Sequence, residues 1–318
     1  MSSVPLTADS PSPARKRRRR GVRTLSRRDV VVLCLMIGIP LLLDLFFIWF
    51  PAVATVLLSF TKWTGVGGLK TAHWIGTTNY QQAFTNYPPF WPAVRHNLTW
   101  FIVFLVVATP LGILFAVVLD RNIKGSRIYQ SIIFLPVMLS LALIGIIWEL
   151  IYSPNYGLIN SLTGHNGETN LVDWLGDPHL NLWAVLVEAC WRQIGYVMVL
   201  YLAGLKAVDP TLREAALVDG ASAWQTFWRV VFPVLRPINV VILVITVIES
   251  LRAFDIVYIT NGGNNGLELL SVLVTKNIIG EASRIGFGSS LGVVLLVISL
   301  VPIISFLVQQ LRQEEHQR

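Results

Sequence analysis

Seven ionisable side chains fall inside or at the ends of long apolar runs: Asp44, Glu149, Glu188, Arg192, Glu249, Arg252 and Asp255. A charge in hydrocarbon surroundings is costly, so such residues usually face a partner, a polar path or water. Glu188 and Arg192 are four apart and Glu249 and Arg252 three apart. These spacings put side chains on one helix face, so each pair is expected to neutralise itself. Their chemistry is then either structural pairing, the lining of a route for a polar solute, or relay of an ion through Asp44, Glu249 or Asp255. Bond-making chemistry has no comparable support. There is no GxxxxGK[ST] loop, HExxH, paired cysteine motif or G-x-S-x-G elbow. The two cysteines, Cys34 and Cys190, both lie in apolar runs and make neither a disulfide framework nor a metal cluster.

The elements that hold these residues are membrane spans. Of 318 residues, 54% are hydrophobic and 14% charged, far below the charged content of soluble domains. Apolar stretches near the ~20 residues of a bilayer crossing occur at about 30–60, 98–119, 128–152, 182–204, 237–259 and 285–310. Six spans make an all-α membrane protein, with domain limits of 1–29 for a basic tail, 30–312 for the bundle and 313–318 for a second tail. The first run is long enough to bend at Pro40 or Pro51, and Pro110 and Pro136 interrupt the second and third. With the N-terminus cytoplasmic, that side carries eighteen Lys and Arg outside the spans against five on the other, which satisfies the positive-inside rule. Both termini are thus expected in the cytoplasm. The ARKRRRR run at Ala14–Arg20 reads as an anchor to anionic lipid rather than a nucleic-acid patch. Loops at 61–97, 153–181 and 261–284 fall on the outer side, where they form a docking rim. Asn97-Leu98-Thr99 fits a glycosylation sequon at a span edge. Gly288 and Gly292 open the last span with the small-residue spacing of close helix packing.

Between the fourth and fifth spans, DPTLREAALVDGASAWQTFWRVVFPVLRP at 209–237 is amphipathic and much longer than a connector needs. Asp209 caps a helix beginning at Pro210. That helix ends near Val218, where Asp219-Gly220 allows a left-handed turn. Ser222 then caps a second helix over 223–232, placing Trp224, Phe227, Trp228 and Val231 on one face. An interfacial helix on lipid is one use of such a segment. The small, mixed-charge run Arg213-Glu214-Ala215-Ala216 suits a protein partner better.

Glu214-Ala215-Ala216, Asp219-Gly220-Ala221, Phe227 and Pro233 resemble the EAA motif of permease subunits of ABC importers. The resemblance covers most of the chain and narrows to the carbohydrate type. It includes Phe50-Pro51, Leu58 to Trp63, Gly76, Asn79-Tyr80, Phe134-Leu135-Pro136, Trp148, Tyr156 to Asn160, and Phe254 to Tyr258 leading into Asn261-Gly262-Gly263. The family often continues this last stretch with Gly-Pro, where Asn264-Asn265-Gly266 stands here.

The resemblance implies a type I ABC importer permease fold in a prokaryotic cell membrane. It makes 209–237 a coupling segment that fits a separate ATPase. It also implies a second homologous permease, an ABC ATPase dimer, an extracytoplasmic solute-binding protein and a carbohydrate or polyol as cargo. No cofactor is expected in this chain, since ATP is bound and hydrolysed by the partner. Solute contacts in maltose-type relatives come from the spans flanking the EAA loop, and the matching positions are Arg192, Gln193, Tyr196, Glu249, Ser250 and Ala253, with Trp191 beside them. Glycerol 3-phosphate or a glycerophosphodiester is the alternative cargo, and an ion-coupled secondary transporter the alternative class.

Overall fold

Three prolines of the helical runs are met by the same backbone device, while Pro40 and Pro302 lie in unbroken α-helix. The structure is a computed structural model that describes residues 26–121, 123–165, 170–280 and 283–316; most of the basic tail lies outside the described residues. Three helical runs, α1 (Arg27–Leu58), α3 (Phe90–Asp120) and α9 (Ala223–Val234), each contain one π-type turn. These turns are Leu45–Trp49, Phe104–Ala108 and Phe227–Val231, and each stops two residues before a proline: Pro51, Pro110 and Pro233. In each case the residue before the proline donates its backbone N–H to the fifth residue back: Phe50 to Leu45, Thr109 to Phe104, and Phe232 to Phe227. A helical proline supplies no N–H to the carbonyl four residues earlier and its ring crowds it. Widening the turn relieves the crowding while the next bond still forms. Pro51 and Pro110 are therefore absorbed inside continuous helices, and Pro110 does not break the second span.

The third span is broken, after Pro136. Helix α4 (Ser126–Met138) and α5 (Leu141–Tyr152) meet at 101°. Leu139 is extended, and the Ser140 side chain accepts the Leu143 N–H at 3.2 Å to start the new helix. The fifth span is bent as well: α9 meets the helix that follows at 76°. Among the described residues, four helices are long and apolar enough to cross a membrane, or up to six crossings when each bent pair counts as one. The spans are longer than the apolar runs suggest. The second begins at Phe90, α7 covers Asn181–Ala207, and the last helix, α13, runs from Ile285 to His316, taking in most of the expected C-terminal tail.

The chain forms two units, Met1–Ala52 and Val53–Arg318. In the first, no side chain from Arg27 to Ala52 is buried, and Asp44 is occupied by the Trp49 indole N–H, which donates to it at 3.0 Å. The second is built around α7, the most buried of the long helices. Its glycines let neighbours approach. A Cβ on Gly112 of α3 would stand 2.7 Å from the Val197 Cβ and 2.9 Å from the Ile194 carbonyl, while one on Gly195 would strike the Ile133 carbonyl of α4. Lipid is as apolar as leucine, so close packing of this kind, more than transfer from water, holds spans together. Gly112→Ala is expected to lower the melting temperature of the detergent-purified protein by several degrees. Gly292→Ala, whose Cβ meets nothing closer than 3.8 Å, is the control expected to leave it unchanged.

Polar ties assemble one end of the bundle. A two-strand ladder pairs β1 (Thr61–Lys62) with β2 (His73–Trp74), and helix α2 (Thr78–Thr85) follows. Asn79 donates to the Ser59 and Thr61 carbonyls at 2.8 and 2.9 Å. Asn160, buried in α6 (Leu158–Thr163), donates to the Pro154 and Val172 carbonyls and accepts from the Trp174 indole. Asn181 donates to the Asn265 carbonyl, and Asn261 to the Leu175 carbonyl. Asn277, in α12 (Leu270–Ile278), donates to the Tyr87 hydroxyl. The three loops expected to form a rim are thus joined to one another. Asn97 is buried, donating to the Ser250 carbonyl and accepting from the Leu270 N–H; this tie, not a modification, explains the sequon residue.

Candidate functional site

The segment between α7 and the fifth span folds as two capped helices around one glycine. Asp209 accepts the Thr211 N–H at 2.9 Å and starts α8 (Pro210–Val218). That backbone donor holds the exposed Asp209 carboxyl below its ordinary range. At the other end the Gly220 N–H donates to the Leu217 carbonyl and the Ala221 N–H to the Ala216 carbonyl, with Gly220 at φ +80°. This pair of bonds is a Schellman closure, which requires a left-handed residue at its turn. Two residues later Ser222 accepts the Gln225 N–H, and the Gln225 side chain accepts the Ser222 N–H in return, a complete capping box for α9.

The two helices present a defined outward surface. Glu214, Ala215, Asp219, Gly220 and Pro233 are exposed, Ala216 is buried, and Ala221 and Phe227 are half-buried. The expected four-residue face Trp224, Phe227, Trp228 and Val231 is not one face. The π-turn at 227–231 stretches the period, so Trp224 packs edge-on against Trp228 at 5.5 Å and Trp228 packs tilted against Phe232 at 4.8 Å, while Val231 turns into the core. Arg213 anchors the segment to the bundle. Its guanidinium donates to Asp120 at the end of α3 at 2.7 Å and to the Leu205 carbonyl of α7 at 2.9 Å. The basic residue is visible in the sequence, but its partner lies 93 residues away.

The charges within the spans pair across helices. Arg192 of α7 donates to Glu249 of α10 (Arg236–Leu251) at 3.3 Å, in place of the two expected intrahelical pairs. Glu188 turns aside and is fully buried beside Thr260 of α11 (Asp255–Asn261). The helix breaks at Arg252–Phe254, so the three-residue spacing of Glu249 and Arg252 no longer describes a shared face.

A cavity of about 30 Å³ lies at this crossing, lined by Trp100, Phe104, Leu141, Ala189, Arg192, Gln193, Glu249, Arg252, Ala253, Phe254, Asp255 and Ile256. Four of the seven expected pathway residues line it: Arg192, Gln193, Glu249 and Ala253. The other three stand elsewhere. Trp191 packs edge-on against Trp148 at 5.8 Å. Tyr196 is half-buried outside the lining. Ser250 is buried, donates to the Val247 carbonyl and borders a separate apolar groove with Leu98, Phe101 and Ile298. Trp100 and Phe104 had no sequence signal, since aromatics in an apolar span look like ordinary core.

Comparison with known proteins follows the same lines. Residues 108–314 match the family described as "Binding-protein-dependent transport system inner membrane component". An osmoprotective compounds uptake permease, GgtC of Synechocystis, is 32% identical over 274 residues, covering 84% of this chain and 94% of that protein. The trehalose/maltose transport system permease MalF of Thermococcus litoralis is 30% identical over 276 residues, covering 87% and 92%. The crystal structure of a bacterial ABC transporter that imports the acidic polysaccharide alginate contains a chain that matches with a TM-score of 0.73 at 22% identity, covering 88% of this chain and 96% of that one. With that fold, a capped two-helix segment in the place of the EAA motif and a family match over most of its length, the chain belongs to the inner membrane components of binding-protein-dependent transport systems, the permease subunits of ABC importers.

Proposed function

We propose that this permease carries an uncharged carbohydrate or polyol into a prokaryotic cell, with both its termini in the cytoplasm. The observation that carries the substrate reading is the charge balance of the intramembrane cavity: Arg192 and Arg252 are matched by Glu249 and Asp255. A phosphorylated solute calls for surplus cations, whereas a polyhydroxyl solute is served by aromatic surface and balanced hydrogen-bonding groups. Similar proteins point the same way, being named for trehalose and maltose, for xylose and arabinose, and for arabinooligosaccharides. Two of the three acids that an ion-coupled mechanism would use are engaged, since Asp44 accepts the Trp49 indole N–H and Glu249 holds Arg192.

The working assembly is this chain, a second related permease, two ATPase domains, one of them seated on the α8–α9 segment, and an external solute-binding protein docking on the rim. ATP is bound and hydrolysed by the partner. Purifying the tagged chain in detergent from its native membranes is expected to bring down an ATPase and a second permease, with ATP hydrolysis in the eluate. A chain that purifies alone and still supports uptake overturns this reading.

A further inference from the structure

A second, wider pocket of about 760 Å³ opens at the rim, with Glu149, Tyr152, Asp173, Asn261, Asn264 and Asn265 in its lining. It is built on the same two helices as the central cavity. Helix α5 reaches from Leu141, in the cavity lining, to Glu149 and Tyr152 in the pocket, and α11 from Asp255 and Ile256 to Thr260 and Asn261. Leu141 and Glu149 are eight residues apart, about 12 Å of helix. Between the two spaces the helices touch: a Cβ on Gly145 would stand 3.0 Å from the Ile259 Cγ2. The pocket is thus the outer end of a route that this contact closes, and the cavity of about 30 Å³ beyond it is too small for a sugar ring.

The pocket is preformed and offers free acceptors. Asn261 donates to the Leu175 carbonyl and accepts the Asn264 N–H at 2.7 Å, which fixes the 173–176 and 261–265 turns to each other. Asp173 commits one carboxylate oxygen to the Gly176 N–H at 2.8 Å. Its other oxygen, and the exposed Glu149 carboxylate, have no partner among the described residues. No Lys or Arg stands in the lining, and Lys276, which reaches Asn264 at 3.1 Å, is held by the Gly263 carbonyl at 2.6 Å. The volume is that of a small-molecule site. Sugar hydroxyls both donate and accept, so two carboxylates with the amide groups of Asn264 and Asn265 match them. An anionic solute meets like charge there.

We infer that this pocket is a reception site of the permease, where Glu149 and Asp173 hold the neutral carbohydrate released by the binding protein before it enters between α5 and α11. This rests on the carbohydrate reading and adds to the central cavity an earlier stop at the outer surface. Glu149, a charge at the end of the third span, thereby gains a use that pairing does not supply.

The test uses the complete transporter with its own binding protein in proteoliposomes, offered radiolabelled trehalose, maltose, xylose and arabinose in turn. Glu149→Gln with Asp173→Asn keeps the side-chain shapes and removes both charges. The sugar accumulated per ATP hydrolysed is expected to fall about tenfold, because the loaded binding protein still triggers hydrolysis while the sugar it releases escapes uncaptured. An unchanged ratio overturns the reception site in either of two ways. Uptake and hydrolysis that fall together make the pocket a docking surface for the binding protein, and wild-type levels of both leave it without a use in transport. Should the double variant fail to assemble, Glu149→Gln alone decides, since that side chain is exposed and bonds nothing among the described residues; a wild-type ratio is then the contrary result. Wild type that accumulates none of the four sugars removes the carbohydrate reading and the reception site with it, which separates that failure from a failure of the site alone.

Discussion

Gly220→Val is expected to abolish transport while the protein still inserts and keeps its spans. No atom lies within 4 Å of a Cβ built on Gly220, so the damage is not a clash. It comes from the backbone: at φ +80° a β-branched residue pays a conformational penalty of about 1–3 kcal/mol. The two closing bonds, Gly220 to Leu217 and Ala221 to Ala216, then compete with that strain. If they open, the angle between α8 and α9 is lost, and Glu214 and Asp219 no longer present one surface. Association with the ATPase, read by co-purification, is expected to fall at least tenfold, and uptake with it. Gly220→Asn, which tolerates the left-handed region better, is expected to retain part of both. Normal uptake by the valine variant would show that this turn does not set the coupling surface.

That turn was legible in the sequence because its signals are local. Asp209 before Pro210, Gly220 after Val218 and Ser222 three residues before Gln225 each act on backbone groups within a turn of themselves, so residue order alone specifies them. The six apolar runs were legible for the same reason. Prolines were legible only as disturbances: a sequence shows a missing donor at Pro110 but not whether the helix answers by breaking or by widening to a π-turn. Packing decided that, with α3 lying along α7 and Gly112 against Val197. The intramembrane charges were the least legible. Spacings of three and four suggested pairs within helices, yet the observed partners, Arg192 and Glu249, are 57 residues apart and meet because α7 and α10 lie side by side.

Glu249→Gln is expected to reduce uptake about tenfold, and Arg192→Glu with Glu249→Arg to restore a substantial part of it. In the native arrangement the two charges stand 3.3 Å apart with side-chain exposures of 23% and 31%. Breaking a fully buried pair costs about 3–5 kcal/mol because the remaining charge is stranded. Partial exposure screens this one, so about 1–2 kcal/mol is the reasonable expectation. The pair spans the helices on either side of the cavity, and an unpaired Arg192 would also leave a net positive charge on a lining that is now balanced. Both effects act on the route rather than on the α8–α9 segment, so co-purification of the ATPase is expected to survive. Glu188→Gln separates the two ways of pairing Arg192. If Arg192 leaned on its own helix, that change would be as damaging as Glu249→Gln. With the partner across on α10, it leaves the ion pair intact and is expected to cost uptake less. Equal losses from Glu188→Gln and Glu249→Gln, or no recovery in the swapped double variant, would remove the interhelical pair from the working parts of the transporter.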